Sequence, residues 1–196
     1  MAVLECGCDE VGRGSAIGEI YAGAVILDER NMIKGLRDSK KLTAKKRKAF
    51  TEEIKNKALA WSVAKVSLEE IARLNVHRAS LLAMKRAVEA LALKPHKVLV
   101  DGKYPLDLDI ANEAVIDGDD KIAAISAASI IAKVTRDEAM LAYHELYPVY
   151  AFDKNKGYLT KAHFAALAEY GPCPVHRMFY APIRNQIKRN ESPFFL

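Results

Sequence analysis

An α/β architecture, a mixed five-stranded sheet flanked by helices with a helical C-terminal extension, is what this sequence predicts, and three observations carry that prediction. Two early apolar runs, Val3 to Asp9 and Gly18 to Leu27, are separated by the turn-forming stretch Gly12 to Ser15, which marks a hairpin. Later apolar runs alternate with segments of helical spacing, the pattern of strands joined by helices packed on the sheet faces. After residue 145 the patterns are helical, with no further strand.

Each element has its own signal. Thr43 is a candidate N-cap for a helix reaching about Lys57. Leu59 to Val66 alternates as a third strand, and Leu68 to Leu74 reads as a short helix or turn. Arg78 to Leu91 is a helix with Leu81, Leu82, Met84, Val88 and Leu91 inward, closed by Pro95. Lys97 to Val100 and Ala111 to Ile116 are short strands, each ending in acid. Ile122 to Tyr143 is a long helix rich in alanine and isoleucine. Thr160 to Tyr170 is a helix stopped by Gly171 and Pro172, and a last helix is expected from Arg177 to about Arg189. Residues 1–145 are read as one domain and 146–196 as a helical extension packed on it, with no repeat or linker between.

The chain has 196 residues, 51% of them apolar, enough for one sizeable core. No apolar run approaches membrane-spanning length, and the first residues lack the charged-then-apolar pattern of a signal peptide, so a soluble cytoplasmic protein is expected. Three cysteines suit reduced thiols. Cys6 and Cys8 share one face of a strand and read as small buried hydrophobes; Cys173 is the only other thiol, and no His-rich motif completes a zinc site. The net charge of +5 is concentrated in Lys40, Lys41, Lys45, Lys46, Arg47 and Lys48, and again in Arg177, Arg184, Lys188 and Arg189. Such patches attract polyanions, although solvated helix faces look the same.

Acidic residues end three of the strands: Asp9-Glu10, Asp101, and Asp117 with Asp119 and Asp120. Taken singly, Asp101-Gly102 and Asp117-Gly118 are ordinary turns. Brought together, carboxylates from distant strand ends are the ligands a hard divalent cation takes. Asp9 and Glu10 would point to opposite sides of a regular strand, so both reach one ion only if the strand ends or twists there. Ser126, Ser129, Lys133 and Asp137 recur at spacings of three, four and four on one stripe of the long helix. That stripe is either a wet face or a phosphate-contacting face, with Asp137 as an outer metal partner. Gly12-x-Gly14-x-x-x-Gly18 is not a dinucleotide fingerprint, because its spacing is one residue too long and it leads into a strand. The five histidines show no ligand spacing and are read as structural.

The motifs Cys8-Asp-Glu-Val-Gly-Arg-Gly14, Asp38-Ser-Lys-Lys-Leu42, Val98-Leu-Val-Asp-Gly102, Gly118-Asp119, Ile125 through Asp137, Lys156-Gly-Tyr158 and His176-Arg177 occur in this order. Together they resemble ribonuclease HII, the type 2 ribonuclease H, from about residue 4 to 184. The resemblance implies a ribonuclease H-like catalytic domain. It also implies an endonuclease that cuts the RNA strand of RNA–DNA hybrids and nicks 5′ of single ribonucleotides in duplex DNA, leaving 3′-hydroxyl and 5′-phosphate ends. The implied cofactor is two Mg²⁺ or Mn²⁺ ions on Asp9, Glu10, Asp101 and Asp119, with Asp137 in support. Gly12, Arg13 and Gly14 match the turn that reads a 2′-hydroxyl, and Tyr158 the ring that stacks on the following deoxyribose. Ser39, Lys40, Ser126, Ser129 and Lys133 match phosphate-contacting regions.

Four positions depart from the family pattern: Ser15 and Glu19 stand where proline is common, Leu159 replaces a proline, and Phe179 a serine. None is an implied metal ligand. The alternative is a catalytically weak hybrid-binding protein. The expected state is a monomer, and the ending Ser192-Pro-Phe-Phe-Leu196 is either a docking tail for a sliding clamp or a segment that packs on its own domain.

Overall fold

The computed structural model describes residues 3–36 and 39–191, with the side chains of the last three left out. Five strands form one sheet: β1 (Glu5–Val11), β2 (Ile20–Ile26), β3 (Ala60–Val66), β4 (Lys97–Asp101) and β5 (Ala111–Val115), in the spatial order β3-β2-β1-β4-β5. The β1–β2 and β2–β3 pairs are antiparallel, and β4 and β5 join in parallel. The predicted hairpin and mixed sheet are both present. All strand ends that carry acid, those of β1, β4 and β5, therefore lie at one end of the sheet.

Eight helices complete the described chain: α1 (Ala44–Lys57), α2 (Leu68–Leu74), α3 (Val76–Glu89), α4 (Gly118–Lys121), α5 (Ala123–Leu146), α6 (Phe152–Asn155), α7 (Lys161–Tyr170) and α8 (Ala181–Glu191). Thr43 caps α1 by accepting the Lys46 N–H, as its sequence position suggests, and Thr160 does the same for α7 through His163. Helix α2 opens with a full capping box between Ser67 and Glu70. None of the described helices is long and apolar enough to cross a membrane.

The two sheet faces are covered differently. Helix α3 packs Ala79, Ala83, Met84, Ala87 and Val88 onto a face built from Cys6, Cys8, Ile20, Ala22, Ala24, Val98 and Val100. Both cysteines are thus buried hydrophobes on one face, as their spacing predicted, and all three thiols are free. The long helix α5 crosses the other face at very short range. A β-carbon at Gly7 would collide with the backbone of Ala124 and Ile125, and one at Gly23 with the carbonyl of Ala128. Glycine in the strands and alanine on the helix are what permit that approach. Ile17, Met140, Phe152, Leu167 and Ile183 form a further apolar cluster that fastens the C-terminal helices to the rest.

Three boundaries differ from expectation. Strand β1 does not stop at Asp9 but runs to Val11, because β2 continues alongside it and pairs Asp9 with Gly23, Glu10 with Ala22 and Val11 with Tyr21. The acids after β5 form the short helix α4 instead of an open turn, with Asp117 in the left-handed region at φ 55°. The last helix begins at Ala181, not Arg177, because the Arg177 amide bonds the Ala16 carbonyl at 2.8 Å and its side chain is used elsewhere.

Candidate active site

Parity along the strands sets the first two acids. Gly7 and Asp9 share the face of β1 covered by α5, and Leu99 and Asp101 share that face of β4, since Cys6, Cys8, Val98 and Val100 face α3. Asp101 Oδ1 accepts the N–H groups of Gly118 at 2.8 Å and Asp119 at 3.2 Å, which pins the start of α4 against β4. Asp119 is thereby 9% exposed and buried beside Asp101, whereas Asp120 turns outward to Lys41 at 2.8 Å and Asp117 to Lys121 at 3.9 Å. Of the three acids after β5, Asp119 is the one turned inward.

Glu10 comes from the opposite parity near the end of β1, yet the Asp101 charge still acts on its carboxyl. Burial is the largest cause: it pushes the Glu10 carboxyl up to about 7, with Arg13 acting against that shift and Asp101 adding to it. Asp9 is raised well above the usual carboxylate range by burial first, then by Glu10 and Asp101. Asp101 is raised by burial and by Asp119, against the two backbone N–H groups it accepts. Among the described residues, no three histidine, cysteine, aspartate or glutamate side chains stand ready to hold a metal ion. Each acid is instead turned to a local donor: Asp9 Oδ1 to the Glu10 N–H at 2.7 Å, Glu10 to Arg13 at 3.6 Å, and Asp119 to Lys40 at 3.4 Å. Oxygen-only donors that repel one another suit a hard divalent cation, whose charge would relieve the repulsion.

The stripe on α5 is not a wet face. Ser126 and Ser129 are buried, and only the lower half reaches a rim. Ser126 Oγ donates to the Asp119 carbonyl at 2.7 Å, holding α4 in place. Ser129 Oγ lies 3.0 Å from Ser39 Oγ, tying the 3₁₀ turn Ser39–Lys41 to the acid cluster. Lys133 Nζ bonds Asp137 Oδ1 at 2.6 Å, and Arg47 approaches Asp137 Oδ2 at 3.5 Å while donating to the Ser39 and Leu42 carbonyls. Asp137 is therefore held by two cations and positions the basic 39–47 segment. Asp38 of that motif lies outside the described residues, as does the tail Ser192–Leu196.

The glycine turn is held by two arginines that the sequence does not single out as site residues. Gly12 has φ +101°, and Gly14 lies against the Tyr158 ring, 3.8 Å from where a β-carbon would sit. Behind the turn, the fully buried Arg136 donates to the Lys156 carbonyl at 2.9 Å, with its guanidinium carbon 5.7 Å from the Tyr158 ring centre. Arg177, 1% exposed, donates to the carbonyls of Arg13, Ser15, Gly18 and Glu19. Two of the four departures from the family pattern, Ser15 and Glu19, are absorbed locally. Ser15 Oγ bonds the Ile17 and Gly157 carbonyls, and Glu19 pairs with Lys65 at 2.9 Å and accepts from Tyr143 at 2.8 Å. The basic character of Arg136 and Arg177 was visible in the sequence; their burial was not.

A family model described as Ribonuclease HII matches residues 6–183. A ribonuclease HII of Desulforamulus reducens is 61% identical over 192 residues, 97% of each chain. Among solved structures, ribonuclease H2 from Pyrococcus horikoshii OT3 is similar with a TM-score of 0.79 at 26% identity, over 95% of this chain and 98% of that one. The ribonuclease HII in a PCNA complex from Archaeoglobus fulgidus is similar with a TM-score of 0.78 at 26% identity, over 93% and 96%. With the family model spanning nine-tenths of the sequence and a near full-length relative at this identity, the chain belongs to the ribonuclease HII family and is a ribonuclease H, a hydrolase that cuts within a strand.

Proposed function

We propose that this ribonuclease H requires divalent metal, Mg²⁺ or Mn²⁺, cuts the RNA strand of RNA–DNA hybrids, and nicks 5′ of single ribonucleotides in duplex DNA. The observation that carries this reading is the approach of buried Asp9 and Asp119 and half-buried Asp101 and Glu10 to one sheet end, next to a backbone-bare turn backed by Tyr158. Asp9, Glu10, Asp101 and Asp119 would hold two ions, with Asp137 in support. The ions, when bound, supply Lewis-acid activation of water and of the scissile phosphate, and aid departure of the 3′-oxygen.

The protein's own residues do the selecting. The N–H groups of Gly12 to Gly14 donate to a 2′-hydroxyl that DNA lacks, and half-exposed Arg13 adds a forked donor beside Glu10. The Tyr158 ring, 43% exposed, stacks on the deoxyribose that follows. Lys40 and Lys133 line the phosphate path, with Ser39 and Ser129 bonded to each other behind it, and Ser126 keeps Asp119 in register. Products end in 3′-hydroxyl and 5′-phosphate groups.

Asp9→Asn and Asp101→Asn should each abolish nicking of a single-ribonucleotide duplex while leaving duplex binding within about twofold. Near-normal turnover in either would sink the ligand assignment. A wild-type protein that binds the duplex but does not nick it in either metal would instead be a hybrid-binding protein. The same proposal treats residues 146–196 as an extension of the catalytic domain, supported by the apolar cluster joining Ile17 to Phe152 and Ile183. It describes a cytoplasmic monomer. A sliding clamp is a proposed partner through the last five residues, supported by the PCNA complex of the Archaeoglobus relative. Deleting residues 192–196 should then remove capture by an immobilised clamp.

A further inference from the structure

The interior beneath the turn holds two histidines that no step of the proposed chemistry uses. His163, on α7, is fully buried and His176 is 2% exposed. Their Nε2 atoms lie 3.0 Å apart. Geometry assigns every ring proton between them. His163 Nδ1 is 3.0 Å from the Tyr158 carbonyl, which can only accept, so that nitrogen carries a hydrogen. A neutral ring then leaves His163 Nε2 bare, and the hydrogen between the two rings must belong to His176 Nε2. That leaves His176 Nδ1 bare, where it accepts the Cys173 N–H at 2.9 Å, with the Cys173 thiol 3.1 Å away. The last contact fits the tautomer that the first two impose. The Cys173 carbonyl, 3.2 Å from the same bare nitrogen, is a neighbour without a hydrogen bond.

The result is one directed run of bonds: Cys173 N–H to His176, His176 to His163, and His163 to the Tyr158 carbonyl. Tyr150 and Phe152 wall it on the edge, with ring centres 4.9 to 6.0 Å from the imidazoles. At its other end the chain continues from His176 into Arg177, whose four carbonyl acceptors shape the turn from Arg13 to Glu19. Ile17 and His176 also form a β-bridge. The pair thus joins the backbone of Tyr158 to the backbone of the glycine turn.

We propose that His163 and His176 are positioning residues for junction recognition: their ordered hydrogen-bond run fixes the Tyr158 backbone relative to the Gly12–Glu19 turn, so that ring and turn meet one ribonucleotide–deoxyribonucleotide step together. The proposal rests on the reading of Tyr158 given above. It deepens that reading by naming what sets the ring's place.

The test uses the full chain and two readouts. In ¹⁵N-labelled protein the ring signals should show His163 protonated on Nδ1 and His176 on Nε2; the reverse tautomer in either ring would overturn the proposal. The second readout is kcat/KM on a single-ribonucleotide duplex divided by kcat/KM on a continuous RNA–DNA hybrid. A fold defect that lowers the active fraction scales both and leaves the ratio unmoved. His163→Asn puts an amide N–H at the Nδ1 position and keeps the Tyr158 bond but gives up the link to His176, so its ratio should fall only about threefold. His163→Gln presents its amide at the Nε2 position, loses the Tyr158 bond, and should drop the ratio about tenfold, toward that of Tyr158→Ala. Equal ratios for the two His163 variants, with Tyr158→Ala still depressed, overturn the positioning role alone. An unchanged ratio for Tyr158→Ala overturns the reading of Tyr158 itself.

Discussion

At Gly12 the backbone sits at φ +101°, and a β-carbon there would stand 2.6 Å from the Arg136 Nε and 3.0 Å from its Cδ. The strain and the collision act together, so Gly12→Ala should cost about 2 kcal/mol of stability. It should also weaken single-ribonucleotide nicking, since the turn can relax only by shifting Arg136 off the Tyr158 ring; urea unfolding and a nicking assay check both. Arg177 is the second residue on which the turn depends. Arg177→Met fills its volume but strands carbonyls of Arg13, Ser15, Gly18 and Glu19 in the interior, and should cost roughly 3 kcal/mol or more by urea midpoint. Among the acids, sequence alone left Asp117, Asp119 and Asp120 as equals, and only the family resemblance preferred Asp119. Burial supplies the physical ground, because the Asp101 carboxylate captures the N–H groups of Gly118 and Asp119 and draws that residue inward.

At the scale of the elements, helix α5 and the sheet form the platform that aligns the site. The α5 serines can touch the acid cluster only because the helix lies so close to β1 and β2. Gly23→Ala drives a β-carbon into the Ala128 carbonyl and the Ile131 side chain, and should cost about 2 to 3 kcal/mol. It should lower turnover as well, by displacing Ser126 from Asp119; thermal melting and a hybrid-cleavage assay read the two effects. Most elements were legible in the sequence, since caps such as Thr43 and Thr160 and apolar periodicity are local signals. The misses have local causes too. β1 outran its apolar pattern because a neighbouring strand offered Val11 a partner, and α4 is a single turn whose start is stabilised by a carboxylate seventeen residues earlier. The α5 stripe was left open between a solvated and a phosphate-contacting face because serine is polar in either setting; that Ser39 would cover Ser129 is a contact across ninety residues.

Across the whole molecule, the C-terminal helices and the glycine turn are linked through a buried neutral histidine pair, and this sets an acid limit. Burial holds both rings below the ordinary histidine range near 6.5, with His176 down to about 4 by burial and then by His163. Above pH 6.5 both folded and unfolded chains keep the rings neutral, so the pair's contribution is intact. Below it the unfolded chain takes up protons that the folded chain refuses, and stability is lost as pH falls toward about 4. Wild type should therefore lose melting temperature faster between pH 6.5 and 4 than the double variant His163→Leu/His176→Leu, and parallel curves would contradict the assignment. Binding to the duplex should weaken steeply with salt, as the lysine-rich 40–48 segment would displace counterions. By itself the sequence determined the α/β class, the order of the strands and longer helices, the buried cysteine face and, through its motifs, the family. Those are properties of local periodicity and of residues close together in the chain. The tertiary structure alone decided that β1 runs unbroken through Asp9 and Glu10, that Asp119 turns inward, and that Arg136, Arg177 and two histidines hold the turn against Tyr158. Each of these depends on burial or on contacts between chain segments far apart in sequence, such as Arg13 with Arg177, and no local pattern encodes which distant carbonyl a buried arginine will meet.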